Sequence, residues 1–237
     1  MMLGARGIAF GWKRKQLPYD AEVEYLESST SQYIKLNMLP KDISNIKCSY
    51  CTVGTPPSDW WCVFGVEINS GGWKNFHLRW GRGSEERMYM KVGDRGAVAY
   101  PYLNLITSFE MNLGNGVMNT MFNGTSGQST YTSSSLASIS IPVALFGMNS
   151  SSGVSKKGKC RIYSFSATGP NGKLCDLIPV RFTNESGQSE GAMYDRLGIG
   201  GTNHNGTPRD DGLYRNQGTG AFIVGADVSA LNGGGIG

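Results

Sequence analysis

The sequence predicts an all-β fold in which two antiparallel sheets pack face to face, and three observations carry the prediction. Glycine supplies 34 of the 237 residues, alongside many Ser, Thr and Asn, a composition of short strands and frequent turns. Several segments alternate apolar and polar residues with the period of two that a half-buried strand requires. No long segment carries the 3.6-residue apolar period of a core helix. A chain of this length suits one large β domain.

Residues 1–20 read as an arm outside the strands. Arg6, Lys13, Arg14 and Lys15 concentrate positive charge there, in a chain whose formal net charge is +4. The remaining body is close to neutral and lacks the basic stripe that a nucleic-acid interface needs, so no nucleic-acid partner is expected. The apolar part of the arm is short and broken by Gly and Arg, and its Lys-Arg-Lys run follows it, so it does not read as an export signal. No stretch approaches the ~20 apolar residues needed to span a bilayer. A docking peptide for a larger assembly is the expectation, with Arg6, Phe10, Trp12, Lys13, Arg14 and Lys15 as its contacts.

Strand patterning begins at residue 21. AEVEYLE puts Val23, Tyr25 and Glu27 on one side, with Glu22, Glu24 and Leu26 on the other. Glu27 joins the other two glutamates only if a bulge shifts the register. Such a cluster raises the question of a retaining glycosidase, which needs two carboxyl groups about 5 Å apart, one with a raised pKa. In the first strand, ahead of any strand that could build a groove, it reads instead as the solvated edge of a sheet.

QYIKL, KCSYCTV and WWCVFGVEI are the next strands, the last two separated by the turn formers GTPPSD. In NFHLRWG, Phe76, Leu78 and Trp80 face the core, which leaves His77 and Arg79 facing solvent. RMYMKV repeats the alternation. LITSFEMNLG and GVMNTMFNG form a hairpin about Gly114-Asn115-Gly116. A Ser/Thr-rich stretch, 125–138, leads to ISIPVALFGM, whose unbroken apolar run suits one fully buried strand. CRIYSFSA and KLCDLIPVRF flank Gly169-Pro170-Asn171-Gly172. Centring that loop on Pro170 and Asn171 sets Thr168 opposite Lys173 and Cys160 opposite Arg181. GAMYD, a polar loop and GLYRNQGTGAFIVGAD close the domain at residue 227, and residues 228–237 form a Gly-rich tail.

The cysteines are Cys48, Cys51, Cys62, Cys160 and Cys175. One CxxC, with no second pair and no suitably spaced His, does not make a zinc site. An i, i+3 pair in a strand also points to opposite faces, which argues against a local disulfide. The odd count favours free, mostly buried thiols from a reducing cytoplasm.

Aromatic residues crowd the stretch between Trp60 and Tyr102. Trp61 and Trp80 belong with Phe64 in the core. Trp60, Trp73, Tyr100 and Tyr102 remain as candidates for stacking on the apolar faces of sugar rings. In the loop from Asn203 to Asp211, Asp210 and Asp211 offer oxygens to calcium, but fewer than the six to eight it takes. An exposed polar loop is the plainer reading, and no metal or other cofactor is expected. Two histidines without a nucleophile elbow build no catalytic triad, and no Gly motif opens a helix to hold phosphate.

Four stretches, in order, carry a family likeness: VEYLESSTSQYIKL; IPVALFGMNSSSG; CRIYSFSATGPNGKLCDLIPVRF; and GAMYD with GLYRNQGTGAFIVGAD. Through them, residues 21–227 resemble the concanavalin-like (laminin-G-like) jelly-roll domain of phage, prophage and gut-bacterial surface proteins. Lys35 departs from the acidic residue usual there, and LGIGGTNHNGTPRDD lengthens a connection that is usually short. The resemblance implies a jelly-roll sandwich whose opening strand is structural, in a non-catalytic virion or surface component such as a capsid decoration, head fibre or tail fibre. It implies adhesion to cell-surface or mucus glycans, and docking to other virion or surface-assembly proteins through the arm. It places the protein on a particle surface after synthesis in the bacterial cytoplasm, and because weak single-site adhesion gains from repetition, many copies are expected, a homotrimer among the arrangements. The alternatives are a purely structural decoration or assembly protein, and a glycoside hydrolase acting through Glu22 or Glu24.

Overall fold

The computed structural model describes residues 17–54, 61–68, 74–81, 87–93, 95–100, 104–198 and 200–228, with residues 95–100 as backbone. The arm residues Arg6, Phe10, Trp12, Lys13, Arg14 and Lys15 lie outside the described residues, as does the tail from residue 229. Three two-residue strands open the fold: β1 (Ala21–Glu22), β2 (Leu26–Glu27) and β3 (Ile34–Lys35). Longer strands follow: β4 (Asn45–Thr52), β5 (Cys62–Ile68), β6 (Lys74–Gly81), β7 (Arg87–Gly93) and β8 (Arg95–Tyr100). Next come β9 (Thr107–Gly114), β10 (Val117–Phe122) and β11 (Thr125–Thr130), then one short helix, α1 (Ser133–Ala137). The chain continues through β12 (Ala144–Leu145), β13 (Met148–Ser150), β14 (Gly153–Ser155) and β15 (Cys160–Gly169). It closes with β16 (Gly172–Thr183), β17 (Ser189–Asp195), β18 (Leu213–Arg215) and β19 (Ile223–Val224). Among the described residues no helix is long and apolar enough to cross a membrane.

These strands form the sandwich of two antiparallel sheets that the patterning predicts, in keeping with the jelly roll that the resemblance implies. The larger sheet runs β11-β10-β9-β4-β15-β16-β17-β18, with β1, β2 and β19 attached, and the smaller runs β14-β13-β5-β6-β7-β8, with β12 beside β5 and β3 beyond β12. Between these strands pairing is antiparallel, except that β13 lies parallel to β5. The sheets meet through aromatic rings: Phe64 of β5 lies 5.9 Å from Phe109 and 5.4 Å from Phe165, both on the larger sheet. Trp61 and Trp80 are buried in the same core, as expected. All five cysteines are free and buried. Burial pushes the thiols of Cys48, Cys62, Cys160 and Cys175 up, which leaves them unreactive.

Both hairpins form where their turn residues place them. Asn115 and Gly116 take left-handed backbone angles (φ 51° and 75°), the requirement of a two-residue type I′ loop, and Gly114 pairs with Val117. Thr168 pairs with Lys173 across Pro170-Asn171, but a bulge follows between Ala167 and Thr168. The expected partnership of Cys160 with Arg181 does not occur: along one edge of β15 the partner changes from β16 to β2, and on the other edge Cys160 lies opposite Thr52 of β4, while Arg181 faces Ala21 and Gly191.

Four further expectations are corrected. ISIPVALFGM is buried from Val143 onward but is not one strand: Phe146, at φ 61°, breaks it into β12 and β13. The Ser/Thr-rich stretch, where the pattern marks no element, carries β11 and α1. AEVEYLE breaks between β1, which joins β16, and β2, which joins β15 and β19, so Val23 and Leu26 are both buried. The same break turns Glu27 inward, 5% exposed, where Arg161 Nε donates to its carboxylate at 2.7 Å; Glu22 and Glu24 stay exposed.

His77 is the fourth. Its side chain does point away from the core, yet it is fully buried rather than solvent-facing. It stands between Gly65 and Lys91 in neighbouring strands, and a Cβ at position 65 would lie 2.3 Å from that of His77. The absence of a side chain at Gly65 is what lets the imidazole lie down on the sheet. Strand alternation fixes which face a residue takes, not whether that face is covered.

Candidate functional site

The lengthened connection after β17 builds one wall of a surface recess. Thr202 anchors it by bridging to Pro208 and Tyr214. The tip is closed by Asn203, whose side-chain oxygen accepts from Thr207 N–H at 3.0 Å and whose carbonyl accepts from Gly206 N–H at 2.9 Å. Gly201 has φ +117°, and a Cβ there would meet the Asp211 carboxylate at 2.9 Å and Leu213 backbone at 3.0 Å, so only glycine fits. Arg215 grips Asp211 with both guanidinium ends, at 2.8 and 3.3 Å, and stacks 5.1 Å over the Phe182 ring. Burial alone would raise the Asp211 carboxyl, but hydrogen bonds from Arg215 and Leu213 N–H, with the charges of Arg215 and Arg209, hold it below its ordinary range.

This scaffold presents His204 to Glu190, which stands on β17 directly across from Phe182. His204 Nε2 lies 3.0 Å from Glu190 Oε2, and its Nδ1 donates to the Asn216 carbonyl at 2.8 Å. Asn184 Nδ2 donates to the other Glu190 oxygen, and the Asn184 side-chain oxygen accepts from the backbone of Ser186 and Gln188, both at 2.9 Å. Asn216, 7% exposed, is itself fixed by Tyr33 N–H and the Gly220 carbonyl. Every group on the wall is therefore positioned by a second one, which is what preorganises a polar site.

The Glu190–His204 pair forms a ridge between two recesses. One, of about 520 Å³, is lined by Pro18, Asn184, Asn203, Asn205 and Arg209; the other, of about 550 Å³, by Gln188, Asn216 and Phe222. Tyr19 and Asp20 tie the chain down beside Pro18: the Tyr19 ring packs 4.8 Å from Tyr194, and Asp20 N–H donates to the Arg181 carbonyl at 2.8 Å.

Of the aromatic candidates, Trp60, Trp73 and Tyr102 lie outside the described residues, and Tyr100 ends β8 with only its backbone described. Asp211 is committed to Arg215 and Arg209, while Asp210 is exposed. Among the described residues no three His, Cys, Asp or Glu side chains converge as metal ligands. Glu22, 3.0 Å from the Tyr19 hydroxyl, and Glu24 lie outside both recesses. Sequence reasoning noted His204 only within a polar loop and passed over Glu190, since nothing local joins residues on a strand and on a later loop.

No family model matches the chain, and no curated protein matches it. Among solved structures it is similar to the Ruminococcus gnavus IT-sialidase CBM40 bound to alpha2,3 sialyllactose: 16% identity over 61% of this chain and 89% of that chain, TM-score 0.47. It is also similar to the full extracellular region of zebrafish Gpr126/Adgrg6, at 13% identity over 58% of this chain and 21% of that chain, TM-score 0.34. Neither likeness bears on what this chain binds.

Proposed function

We propose that the domain is a non-catalytic adhesion module that binds glycans at the Glu190–His204 ridge. The observation that carries the reading is the wall itself: an imidazole, a carboxylate, carboxamides and a guanidinium, each held by a neighbour, facing recesses sized for a few sugar rings. Sugar hydroxyls donate and accept at once, and such a wall offers both roles at fixed points. Both Glu190 oxygens and both Asp211 oxygens are already engaged, which favours a binding role over general acid–base chemistry.

A glycan array with the purified chain tests this. We expect binding that His204→Ala and Glu190→Gln each weaken by about tenfold, the cost of one or two hydrogen bonds to charged or ring groups. Wild-type binding untouched by either variant would move the site elsewhere. A blank array would favour the purely structural decoration or assembly role.

We further propose that the domain is carried on a phage particle or comparable surface assembly in many copies, tethered by the basic arm. This rests on the sequence resemblance and on the charge of residues 1–16, and repetition would strengthen weak single-site adhesion. Deleting residues 1–16 should leave a folded domain that no longer enters the assembly. Continued incorporation of the truncated protein would remove the arm's assigned role.

A further inference from the structure

We propose that the outer face of the larger sheet carries a second binding surface, a track for an extended, uncharged glycan chain lying across the strands. The proposal takes its ligand class from the glycan-binding reading, but the surface is a different one, on other strands.

Its basis is a row of side-chain amides in direct cross-strand register. Asn45 on β4 pairs with Asn112 on β9, Asn112 with Asn119 on β10, and Asn119 with Gln128 on β11. The amides are linked sideways: Asn45 Nδ2 donates to Asn112 Oδ1 at 2.8 Å, and Gln128 Nε2 to Asn119 Oδ1 at 2.8 Å. These bonds leave the Asn119 amide nitrogen and the Asn45 and Gln128 amide oxygens without partners among the described residues, so donors and acceptors both remain along the row. Asn is disfavoured in strands, and three in one lateral row, ending in a Gln, is a cost that a surface with only structural duties has no reason to bear.

The next row supplies the rest of the platform. Lys47 and Glu110 lie 3.3 Å apart and cancel in charge, which suits a neutral ligand. Met121, directly across from Glu110, is 44% exposed and offers an apolar, polarisable surface to ring C–H faces. A groove of about 460 Å³ runs over Asn112, Asn119, Met121, Ser126 and Gln128. Neighbouring strands stand about 4.8 Å apart, close to the advance of one sugar in an extended chain. A linear polymer crossing the strands would thus present successive sugars to successive amides. A small branched ligand would not.

The test is affinity electrophoresis of the full chain in gels holding a soluble linear β-linked polysaccharide, xylan or a mixed-linkage glucan, with pelleting on cellulose in parallel. We expect retardation or co-sedimentation by the wild type in at least one polymer. The Asn112→Ala/Asn119→Ala double variant, whose sites are exposed, should keep its circular-dichroism spectrum and bind about tenfold more weakly, as loss of two hydrogen bonds implies. Met121→Ala should weaken binding without touching any amide. His204→Ala should leave polymer binding intact. Equal retardation of wild type and the double variant, or no retention by any of the three polymers, overturns the track. Array binding that depends on His204 would survive that result, and a blank array would leave a positive polymer result standing, so the two readings fail separately.

Discussion

Replacing Phe64 with alanine is expected to lower the folding free energy by about 3–5 kcal/mol, the range for removing a buried aromatic ring. Phe64 is fully buried at the middle of β5, and its ring meets Phe109 and Phe165 across the sandwich as well as Phe76, 6.4 Å away on its own sheet. A cavity there would open between the two layers, where each sheet is held by its side chains and cannot collapse alone. Against the roughly 5–15 kcal/mol that stabilises a typical domain, such a loss is a large fraction. Urea denaturation followed by tryptophan fluorescence measures it, and Phe64→Leu should cost much less. A loss below about 1 kcal/mol would mean that the two sheets do not meet at this ring.

The second large effect is acid lability from His77. Both ring nitrogens are buried without a hydrogen-bond partner among the described residues. Burial, with the charges of Arg79, Lys156 and Lys91 around it, depresses its pKa well below the ordinary 6.5; Glu67, which could oppose them, is paired to Lys156 at 2.8 Å. The folded protein therefore holds a neutral imidazole while the unfolded chain takes up a proton as pH falls below about 6.5. Because the unfolded state binds more protons, stability falls with pH from that point downward, by up to roughly tenfold in the folding equilibrium per pH unit. Asp176 and Asp211, both held below their ordinary carboxylate value, add losses of their own only below about 3.8, so between pH 7 and 5 the His77 loss is seen without theirs. Melting temperatures at pH 7, 6 and 5 should fall steadily for the wild type and stay nearly level for His77→Phe. Identical slopes for the two proteins would show that His77 takes up its proton alike in the folded and unfolded states.

His77 also marks where sequence reading stops. Its alternation with Phe76, Leu78 and Trp80 correctly placed it on the outer face, but burial there depends on what lies over the face, which no local pattern encodes. Glu27 is a similar case: the break between β1 and β2 depends on which distant strands receive each half, and only then does the carboxylate meet Arg161. The amide row divides between the two levels. The type I′ turn at Asn115-Gly116 already sets Asn112 opposite Asn119, and the next tight turn, at Asn123-Gly124, sets Asn119 opposite Gln128. Asn45 joins them only because β4 lies beside β9, a pairing across some sixty residues of chain that no turn dictates.

By itself the sequence determined the strand periodicity, the two hairpin loops, the apolar set of the core and the charge of the arm, because each depends on neighbours within a turn or a strand. The tertiary structure alone decided the register between distant strands, the meeting of His204 with Glu190, and the burial of polar groups on an outer face. Those follow from which surfaces come together in space, and period-two patterning leaves that choice open.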